Sequence, residues 1–389
     1  MRAHFSWLGI GFLLFYSMDM EQTLTKLAKI KPVSTPFFSV YLNTLRSKGT
    51  KSKGEPFLRK MLSHFEDFHS RFGYDAYGAD KEKAFLERVL KELDFLQTPG
   101  LAVFVNSGRK FFETHPLTYS PDDQFFCQLT ANLYPLVRLQ HDLENFLTVV
   151  LDTREAKLFT ISWGQISETQ IVEKEEIKEF RRKGKLGLFK PRMENRMDEY
   201  VERYVDKVVG QVRRKTNDTL GFSFFAGDEI ILPVVQKKLA PFKNLDYDFL
   251  KIDIKTPASE VLSKSLAAFK KIKKQKRDQI LQEFLEHLGS GRKIISGFER
   301  AFENFKNDNI LTLIVGLDPG YEICFCPFCW FWEKAIKLKT CPKCSLPMEV
   351  VDYKHKLVNL AYRSGVKFHL VEENPEFKKK EGVGAYLKR

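Results

Sequence analysis

The chain has 389 residues, which is too long for one ordinary hydrophobic core and predicts two or three domains. Of the six cysteines, five lie between Cys324 and Cys344 and the sixth, Cys127, is isolated, which excludes the disulfide framework of a secreted protein and predicts a reducing, cytoplasmic location. The formal net charge of +13 indicates a polyanionic partner, for which nucleic acid is the commonest choice.

The chain begins with a short apolar run from Phe5 to Tyr16, which follows Arg2. The run is similar to a signal-peptide core, but it is short for a membrane span and no small-x-small cleavage site follows it. Met18 and Met20 stand directly before a sequence typical of a cytosolic protein start. We therefore interpret residues 1–19 as an apolar leader or a misassigned start, and we predict no membrane partner.

The first block, residues 20–142, has the pattern of an N-terminal α/β domain without a legible active site. Cys127 lies in an apolar run and is predicted to be a buried core thiol. The predicted features are a strand (Phe37 to Leu42), a basic loop (Arg46 to Lys53), two helices (Glu55 to Arg71 and Asp80 to Leu96) and a strand turning at Asn106.

The second block, residues 143–270, begins with three strands that start at Phe146 and are separated by an Asp-Thr-Arg turn and by Gly164. The predicted order βββαβαβ is typical of a ribonuclease-H-like domain. The later elements are a helix (Met193 to Lys215), a strand (Gly221 to Phe225), a helix (Asp228 to Leu239) and a strand (Phe249 to Ile254).

A long helix is predicted from Ala258 to Leu288, because Pro257 suits its first turn and Gly289 suits its end. Its basic run, Lys270 to Arg277, crowds cations at successive positions, which point in several directions on a helix. A solvated face is therefore the favoured interpretation, and contact with phosphates is the alternative. The helix is expected to link two domains.

The last block, residues 271–389, is predicted to be an α/β sandwich that is interrupted by a cysteine-rich segment at 322–348. The predicted elements are a strand (Lys293 to Ile295), a helix (Gly297 to Phe305), a strand (Ile310 to Val315), a helix (His355 to Arg363), a strand (Val366 to Val371), a further short helix and a final strand (Val383 to Leu387).

The cysteine-rich segment contains two Cys-Pro-x-Cys pairs, Cys326 with Cys329 and Cys341 with Cys344, separated by eleven residues. Two such turns face to face offer four thiolates at the corners of a tetrahedron, the geometry that Zn²⁺ prefers, so the segment predicts one structural zinc. A disulfide or a redox dithiol is the alternative, but it does not explain two matched pairs. Cys324 is a candidate for a surplus or exchangeable ligand.

The C-terminal block resembles the last domain of archaeal and eukaryotic class-one release factors and of Pelota. The residues that carry this resemblance are the two cysteine pairs, the segment Gly365 to Val371, and the closing segment from Phe377 to Leu387. The second block is similar to the central domain of the same family through VVLDTREAKLFTISWGQISE and LDYDFLKIDIK. The resemblance implies a ribosomal-protein-like fold for the last domain and a place in the bacterial and archaeal release-factor-like group.

The chain departs from this family in the loop before the long central helix. The family hydrolyses peptidyl-tRNA with a Gly-Gly-Gln tripeptide there, whereas this loop, Arg181 to Arg196, has none. No Asn-Ile-Lys-Ser-type codon reader is present in the first block. We therefore predict no catalytic residues and expect that the protein is not an enzyme. The loop still has six cations, which are the predicted RNA-binding residues: Arg181, Arg182, Lys183, Lys185, Lys190 and Arg192.

The resemblance implies a monomeric, tRNA-shaped factor that binds the ribosomal A site and serves in ribosome hibernation or in rescue of stalled ribosomes. Elongation factor Tu is the implied GTPase partner, and translation termination is the alternative role within the family. Two other classes stay open. A nuclease would need Asp152, Glu168 and Asp253 to converge on two Mg²⁺ ions, and a zinc-ribbon DNA-binding protein lacks a second ribbon or a helix-turn-helix here.

Overall fold

The computed structural model describes residues 20–46, 51–72, 78–162, 164–173, 190–218, 221–288, 290, 293–334 and 338–388. These residues form four β-sheets with helices packed on them. The predicted leader, residues 1–19, and positions 47–50 of the first basic loop lie outside the described residues. Among the helices in these ranges, none is both long enough and apolar enough to cross a bilayer.

Residues 20–142 form an antiparallel sheet of order β3-β2-β1-β4. Strand β1 is apolar along most of its length because it serves two cores: Phe37 and Tyr41 face one, and Phe38 and Val40 face the other. The elements are α1 (Met20–Ala28), β1 (Phe37–Asn43), α2 (Glu55–Ser63), α3 (Phe65–Phe72), α4 (Ala79–Glu92), β2 (Gly100–Asn106), β3 (Phe111–Leu117), β4 (Gln124–Gln128) and α5 (Tyr134–Asp142).

Two features of residues 20–142 differ from the prediction, and one confirms it. The single helix predicted from Glu55 breaks at His64, where Phe65 turns into the core and is 1% exposed. Helices α1 and α5 and strand β4 were not predicted, because short elements have too few residues for a clear period. Cys127 lies on β4 and is buried, so that prediction is confirmed.

Residues 146–250 have the predicted order of three strands, helix, strand, helix and strand. The five-stranded sheet has the order β7-β6-β5-β8-β9, with antiparallel pairs among the first three strands and parallel pairs beyond β5. The elements are β5 (Phe146–Leu151), β6 (Glu155–Ser162), β7 (Gln165–Glu173), α6 (Lys190–Asp218), β8 (Ser223–Gly227), α7 (Ile231–Leu239) and β9 (Tyr247–Leu250).

The last strand of this sheet lies earlier than predicted. The expected span from Phe249 to Ile254 is wrong at its C-terminal end, since β9 ends at Leu250. Ile252 is nevertheless buried, in a cluster with Val150 and Val261. Ile252 is apolar because the loop after β9 packs against the sheet. A short apolar loop of this kind gives the same sequence pattern as a strand.

Helix α8 (Ala258–His287) joins the central sheet to the C-terminal one. Phe269, in its first half, stacks on Phe146 of the central sheet with ring centroids 4.3 Å apart. Phe284, near its end, packs on Gly384, where a Cβ atom would lie 2.1 Å from the Phe284 ring. One helix therefore contributes to hydrophobic clusters on both sheets.

Residues 293–388 form two sheets, of order β10-β16-β11-β15 and β13-β12-β14. The smaller sheet is inserted between β11 and α10, and the cysteine pairs lie in the connections between its strands. The elements are β10 (Ile294–Ser296), α9 (Phe298–Lys306), β11 (Ile310–Gly316), β12 (Glu322–Phe325), β13 (Trp332–Lys334), β14 (Glu349–Asp352), α10 (Tyr353–Ser364), β15 (Lys367–Val371), α11 (Pro375–Lys379) and β16 (Val383–Leu387).

The first and last parts of the chain share one hydrophobic core, which the sequence did not predict. Leu133 and Tyr134 belong to the same buried cluster as Leu357 of α10. A stacked ring pair and a hydrogen bond also connect the two parts. The rings of Tyr134 and His355 stack with centroids 3.9 Å apart, and Asn359 Nδ2 donates to the carbonyl of Ala131 at 2.9 Å.

His141, at the end of α5, makes the stability of this junction sensitive to acid. Burial, and then the positive charges of Arg277, Lys273 and His369, lower the pKa of His141 to about 3. Its Nδ1 atom is buried without a hydrogen-bond partner among the described residues. An unfolded chain protonates this ring near its ordinary pKa of about 6.5, so the unfolded state binds the proton first as the pH falls.

We therefore expect the free energy of unfolding to fall as the pH drops below about 6.5, by at most about 1.4 kcal/mol per pH unit from His141 alone. Urea unfolding between about pH 7.5 and about pH 5 measures this dependence. The matched variant His141→Gln cannot titrate and should show a shallower pH dependence. Equal slopes for the two proteins would contradict the assignment to His141.

Candidate metal centre and charged surfaces

The two cysteine pairs form matching turns at the end of the small sheet. In the first turn the N–H of Cys326 donates to the carbonyl of Phe331 at 2.8 Å, and the N–H of Trp330 donates back to the carbonyl of Cys326 at 2.9 Å. The second turn repeats this pattern, with the N–H of Cys341 donating to the carbonyl of Leu346 at 2.8 Å. The sequence repeat Cys-Pro-x-Cys thus folds twice into the same hydrogen-bonded loop.

The residue after each pair adopts a left-handed backbone conformation. Trp330 has a φ of 62° and Ser345 a φ of 58°. Non-glycine residues adopt this region at a cost, so the two equivalent positions indicate that the turn geometry is imposed by its surroundings. Within each turn the two sulfurs lie no more than 4.8 Å apart.

The four sulfurs of Cys326, Cys329, Cys341 and Cys344 all lie within 4.8 Å of one another. The Sγ atoms of Cys326 and Cys344 are 3.5 Å apart, and those of Cys329 and Cys341 are 3.4 Å apart. A tetrahedral zinc site with Zn–S bonds of about 2.3 Å has sulfurs about 3.8 Å apart. The four cysteines can therefore coordinate one metal ion, and their donor set fits zinc.

Cys324 is not a member of this group. It is buried on β12, and the N–H of Leu338 donates to its sulfur at 3.3 Å. The Cys324 sulfur therefore contacts the backbone of a neighbouring segment, whereas the four grouped sulfurs lie close to one another. The structure thus separates a four-cysteine site from a fifth cysteine that packs beside it.

Burial and backbone N–H groups act in opposite directions on the cysteine thiols of the two pairs. Burial raises the pKa of the Cys326 thiol, an effect opposed by the N–H groups of Cys329 and Phe328. Burial also raises the pKa of Cys341, but hydrogen bonds from the N–H groups of Cys344 and Lys343, together with those from the thiols of Cys329 and Cys344, lower it to about 7. Such amides direct positive partial charge at the sulfurs before any metal binds.

The cysteine-rich segment is docked on the first part of the chain through the buried carboxylate of Glu349. Glu349 is 0% exposed, and its carboxylate accepts from Lys356 Nζ at 2.6 Å. The same carboxylate accepts from the N–H groups of Leu129 at 2.7 Å and of Thr130 at 3.1 Å. Phe328, inside the first cysteine turn, packs against the second core of the N-terminal sheet. Neither anchor was identified from the sequence.

The predicted RNA-binding loop lies largely outside the described residues. This applies to Arg181, Arg182, Lys183 and Lys185, while Lys190 and Arg192 fall in the first turn of α6. The loop therefore leads directly into the 29-residue helix α6 on the central sheet. The assignment of its six cations to RNA binding stays a prediction.

The basic run of α8 meets carboxylates from three parts of the chain. Four of its cations form ion pairs with acidic residues of other segments: Lys276 with Asp246 at 2.8 Å, Lys274 with Glu372 at 3.1 Å, Arg277 with Asp142 at 2.9 Å, and Lys273 with Glu144. The solvated-face interpretation is thus incomplete, because these cations bridge segments that are distant in sequence.

All three carboxylates considered for a nuclease are engaged in other contacts, and Asp253 Oδ1 accepts from the N–H group of Lys255 at 2.8 Å. Asp152 Oδ1 accepts from the N–H groups of Arg154 and Glu155 in its own turn, at 2.7 and 2.9 Å. Glu168 pairs with Lys215 at 2.7 Å. Within the described ranges, the four cysteines are the one group of side chains placed to hold a metal ion. A two-metal carboxylate site therefore has no support in these residues.

No protein-family model matches the sequence, and the comparison with curated proteins found no match. Among solved structures, the archaeal translation termination factor aRF1 is 14% identical, with 95% of this chain and 97% of that chain covered and a TM-score of 0.24. Dom34 from S. cerevisiae, a translation termination-like factor involved in RNA quality control pathways and interacting with Hbs1, is 16% identical, with 74% and 79% covered and a TM-score of 0.38.

An archaeal Pelota, from a model of ribosome-bound archaeal Pelota and ABCE1, is 13% identical, with 75% of this chain and 77% of that chain covered and a TM-score of 0.38. With identities and TM-scores this low, these likenesses establish neither a family nor a function for this chain.

Proposed function

We propose that the protein is a ribosome-binding translation factor that occupies the A site without hydrolysing peptidyl-tRNA. One observation carries the proposal. The two C-terminal segments that resemble release factors and Pelota form β15 and β16, and both strands pair with β11 in one sheet. The cysteine ribbon is inserted between β11 and α10 of the same unit. The segments on which the resemblance rests are thus neighbours in space, which supports the proposal.

The central part supports a non-catalytic role. The loop that precedes α6 has six cations within twelve residues, which suits contact with ribosomal RNA, but it has no Gly-Gly-Gln. The glutamine of that tripeptide places the water that attacks the ester. Without it, the loop retains the charge that binds phosphates and lacks the device for hydrolysis.

Among the non-catalytic roles of this family, we propose protection of idle ribosomes (hibernation), with rescue of stalled ribosomes second. The first part would reach the decoding region, the loop before α6 would approach the acceptor site, and the ribbon-bearing part would face a translational GTPase. Elongation factor Tu is the proposed GTPase, on the basis of the resemblance, and the zinc would be structural because protein ligands fill all four positions.

The proposal predicts salt-dependent co-sedimentation with intact ribosomes. We expect binding to weaken as salt rises, because released counterions drive phosphate contacts. Changing Lys183, Lys185, Lys190 and Arg192 to Ala should weaken binding and reduce the salt slope by roughly 0.7 to 0.9 for each phosphate that is no longer neutralised. The measurement is the bound fraction across a salt series.

A matched control removes the same charge from exposed positions that are not part of the loop, for example by changing Lys251, Lys255, Lys367 and Lys379 to Ala. This variant should bind nearly as well as the native chain. Absence of binding at low salt would refute the ribosome proposal and favour the alternative of a zinc-ribbon protein that binds free nucleic acid. A peptidyl-tRNA release assay on the bound complex tests the second candidate, termination, which requires release that the proposed role does not.

A further inference from the structure

A second basic surface lies where α8 meets the first and last parts of the chain. It is a cleft of ≈ 500 Å³. Its cationic wall is a stripe along α8, Lys270, Lys273, Lys274 and Arg277, with Lys271 beside it. Positions i, i+3, i+4 and i+7 share one helix face. These four cations therefore lie on one side of α8, although the cations of the whole run are distributed around the helix. None of these wall residues belongs to the loop before α6.

Two of these cations are available to a ligand. Lys270 and Lys271 are exposed, and no carboxylate of the described residues lies within ion-pair distance of either. Lys274 pairs with Glu372, but the two side chains are 59% and 46% exposed. Exposed pairs of this kind are weak, so a phosphate group can compete for Lys274.

An aromatic side chain stands at the same cleft. Tyr119 lines it and is 45% exposed. Its backbone is held in place, because Gly100 packs so closely on it that a Cβ atom there would lie 2.2 Å from the Tyr119 carbonyl oxygen. The neighbouring carbonyl of Thr118 accepts from Gln165 Nε2 of the central sheet at 2.9 Å. The backbone that carries the Tyr119 ring is therefore restrained on one side by Gly100 of the N-terminal sheet and, through Thr118, on the other by the central sheet.

We propose that this cleft binds a single-stranded segment of nucleic acid, with backbone phosphates on Lys270, Lys271 and Lys274 and a base stacked on Tyr119. A cationic groove that follows the backbone, together with an exposed aromatic platform, is the recognition mode of single strands, and it does not depend on sequence. The apolar side chain of Leu139 lines the cleft and can lie against the sugar or base. The proposal goes beyond the ribosome-binding role, since it concerns another surface and free nucleic acid.

The test is fluorescence anisotropy with labelled oligo(U) and oligo(dT) of about twelve nucleotides, a length within the usual range of single-strand sites. All proteins are full-length and contain the Ala substitutions at Lys183, Lys185, Lys190 and Arg192, so that the loop before α6 contributes little. The two oligonucleotides distinguish an RNA ligand from a DNA ligand, and binding of either supports the cleft.

We expect Lys270→Ala with Lys271→Ala to weaken binding and to lower the salt slope by about 1.4, because each single-strand phosphate contact contributes about 0.7. Tyr119→Ala should weaken binding by about fivefold or more, the usual effect of removing the platform for one stacked base. Tyr119→Phe should retain affinity, because stacking needs the ring and not the hydroxyl group.

The matched control, Lys251→Ala with Lys255→Ala, removes two exposed cations that do not line the cleft. If it weakens binding as much as the α8 pair, general charge explains the affinity and the proposal is refuted. Failure of the starting protein to bind either oligonucleotide at low salt also refutes it. Ribosome co-sedimentation is measured separately, so the failure of one proposal leaves the other intact.

Discussion

Substitution of Glu349 by Ala is expected to lower the free energy of unfolding by about 3–5 kcal/mol, because it leaves the charge of Lys356 buried without its partner. Lys356 is 4% exposed, and its Nζ donates to the Glu349 carboxylate at 2.6 Å. The N–H groups of Leu129 and Thr130 lose their acceptor as well. Urea unfolding followed by circular dichroism measures the change.

Two control variants are informative. The first tests whether burial of the ion pair is what makes it important, and the second tests whether the effect is specific to the junction between the first and last parts of the chain. Lys388→Met removes an exposed pair with Asp308, and it should cost at most about 1 kcal/mol. Glu373→Ala breaks another buried pair, in which the side chains of Lys354 and Glu373 are each 3% exposed, but one formed within the C-terminal part alone. It should therefore destabilise the protein comparably.

Hydrogen exchange distinguishes the two buried pairs. Exchange at the amides of Leu129 and Thr130 should accelerate in Glu349→Ala, whose carboxylate they contact, and change less in Glu373→Ala. A destabilisation below about 1 kcal/mol in Glu349→Ala would show that the carboxylate is not the anchor of the ribbon-bearing part. The junction would then depend on its apolar cluster.

Removal of the metal is expected to have the larger structural effect. Apparent binding free energies of about 10–16 kcal/mol are typical of structural zinc, which is more than the about 3–5 kcal/mol expected for the Glu349 pair. We expect one zinc per chain by elemental analysis. A strong chelator, or Cys341→Ser with Cys344→Ser, should unfold that sheet and release Phe328 from the N-terminal core.

Exchange of backbone amides in residues 322–352 and around Leu129 reports both effects, since the ribbon and its docking partner should lose protection together. Cys324→Ser is the matched control, because this cysteine is buried beside the site and lies outside the four grouped sulfurs; it should retain one metal ion per chain. A metal-free chain that is fully protected in these segments would refute the structural role. Elemental analysis also distinguishes zinc from iron, which the same four thiolates can bind.

Local sequence patterns determined the parts of this protein that depend on near neighbours. Each Cys-Pro-x-Cys repeat forms its own turn, so the spacing alone predicted the four sulfurs that the structure brings together. The strands from Phe146 to Glu173 and the helix α8 were also predicted within a few residues, because their periods extend over many residues. Short elements and the apolar loop at Ile252 were misjudged where few residues define a period.

The tertiary structure alone decided how these parts meet. Glu349 and Leu129 are 220 residues apart in sequence, and nothing in either neighbourhood indicates that a buried carboxylate will accept from that N–H group. The cleft at Tyr119 likewise depends on three segments coming together around one face of α8. The sequence determined local geometry and total charge, whereas the pairing of each charge was decided by contacts between distant residues, which have no local period to read.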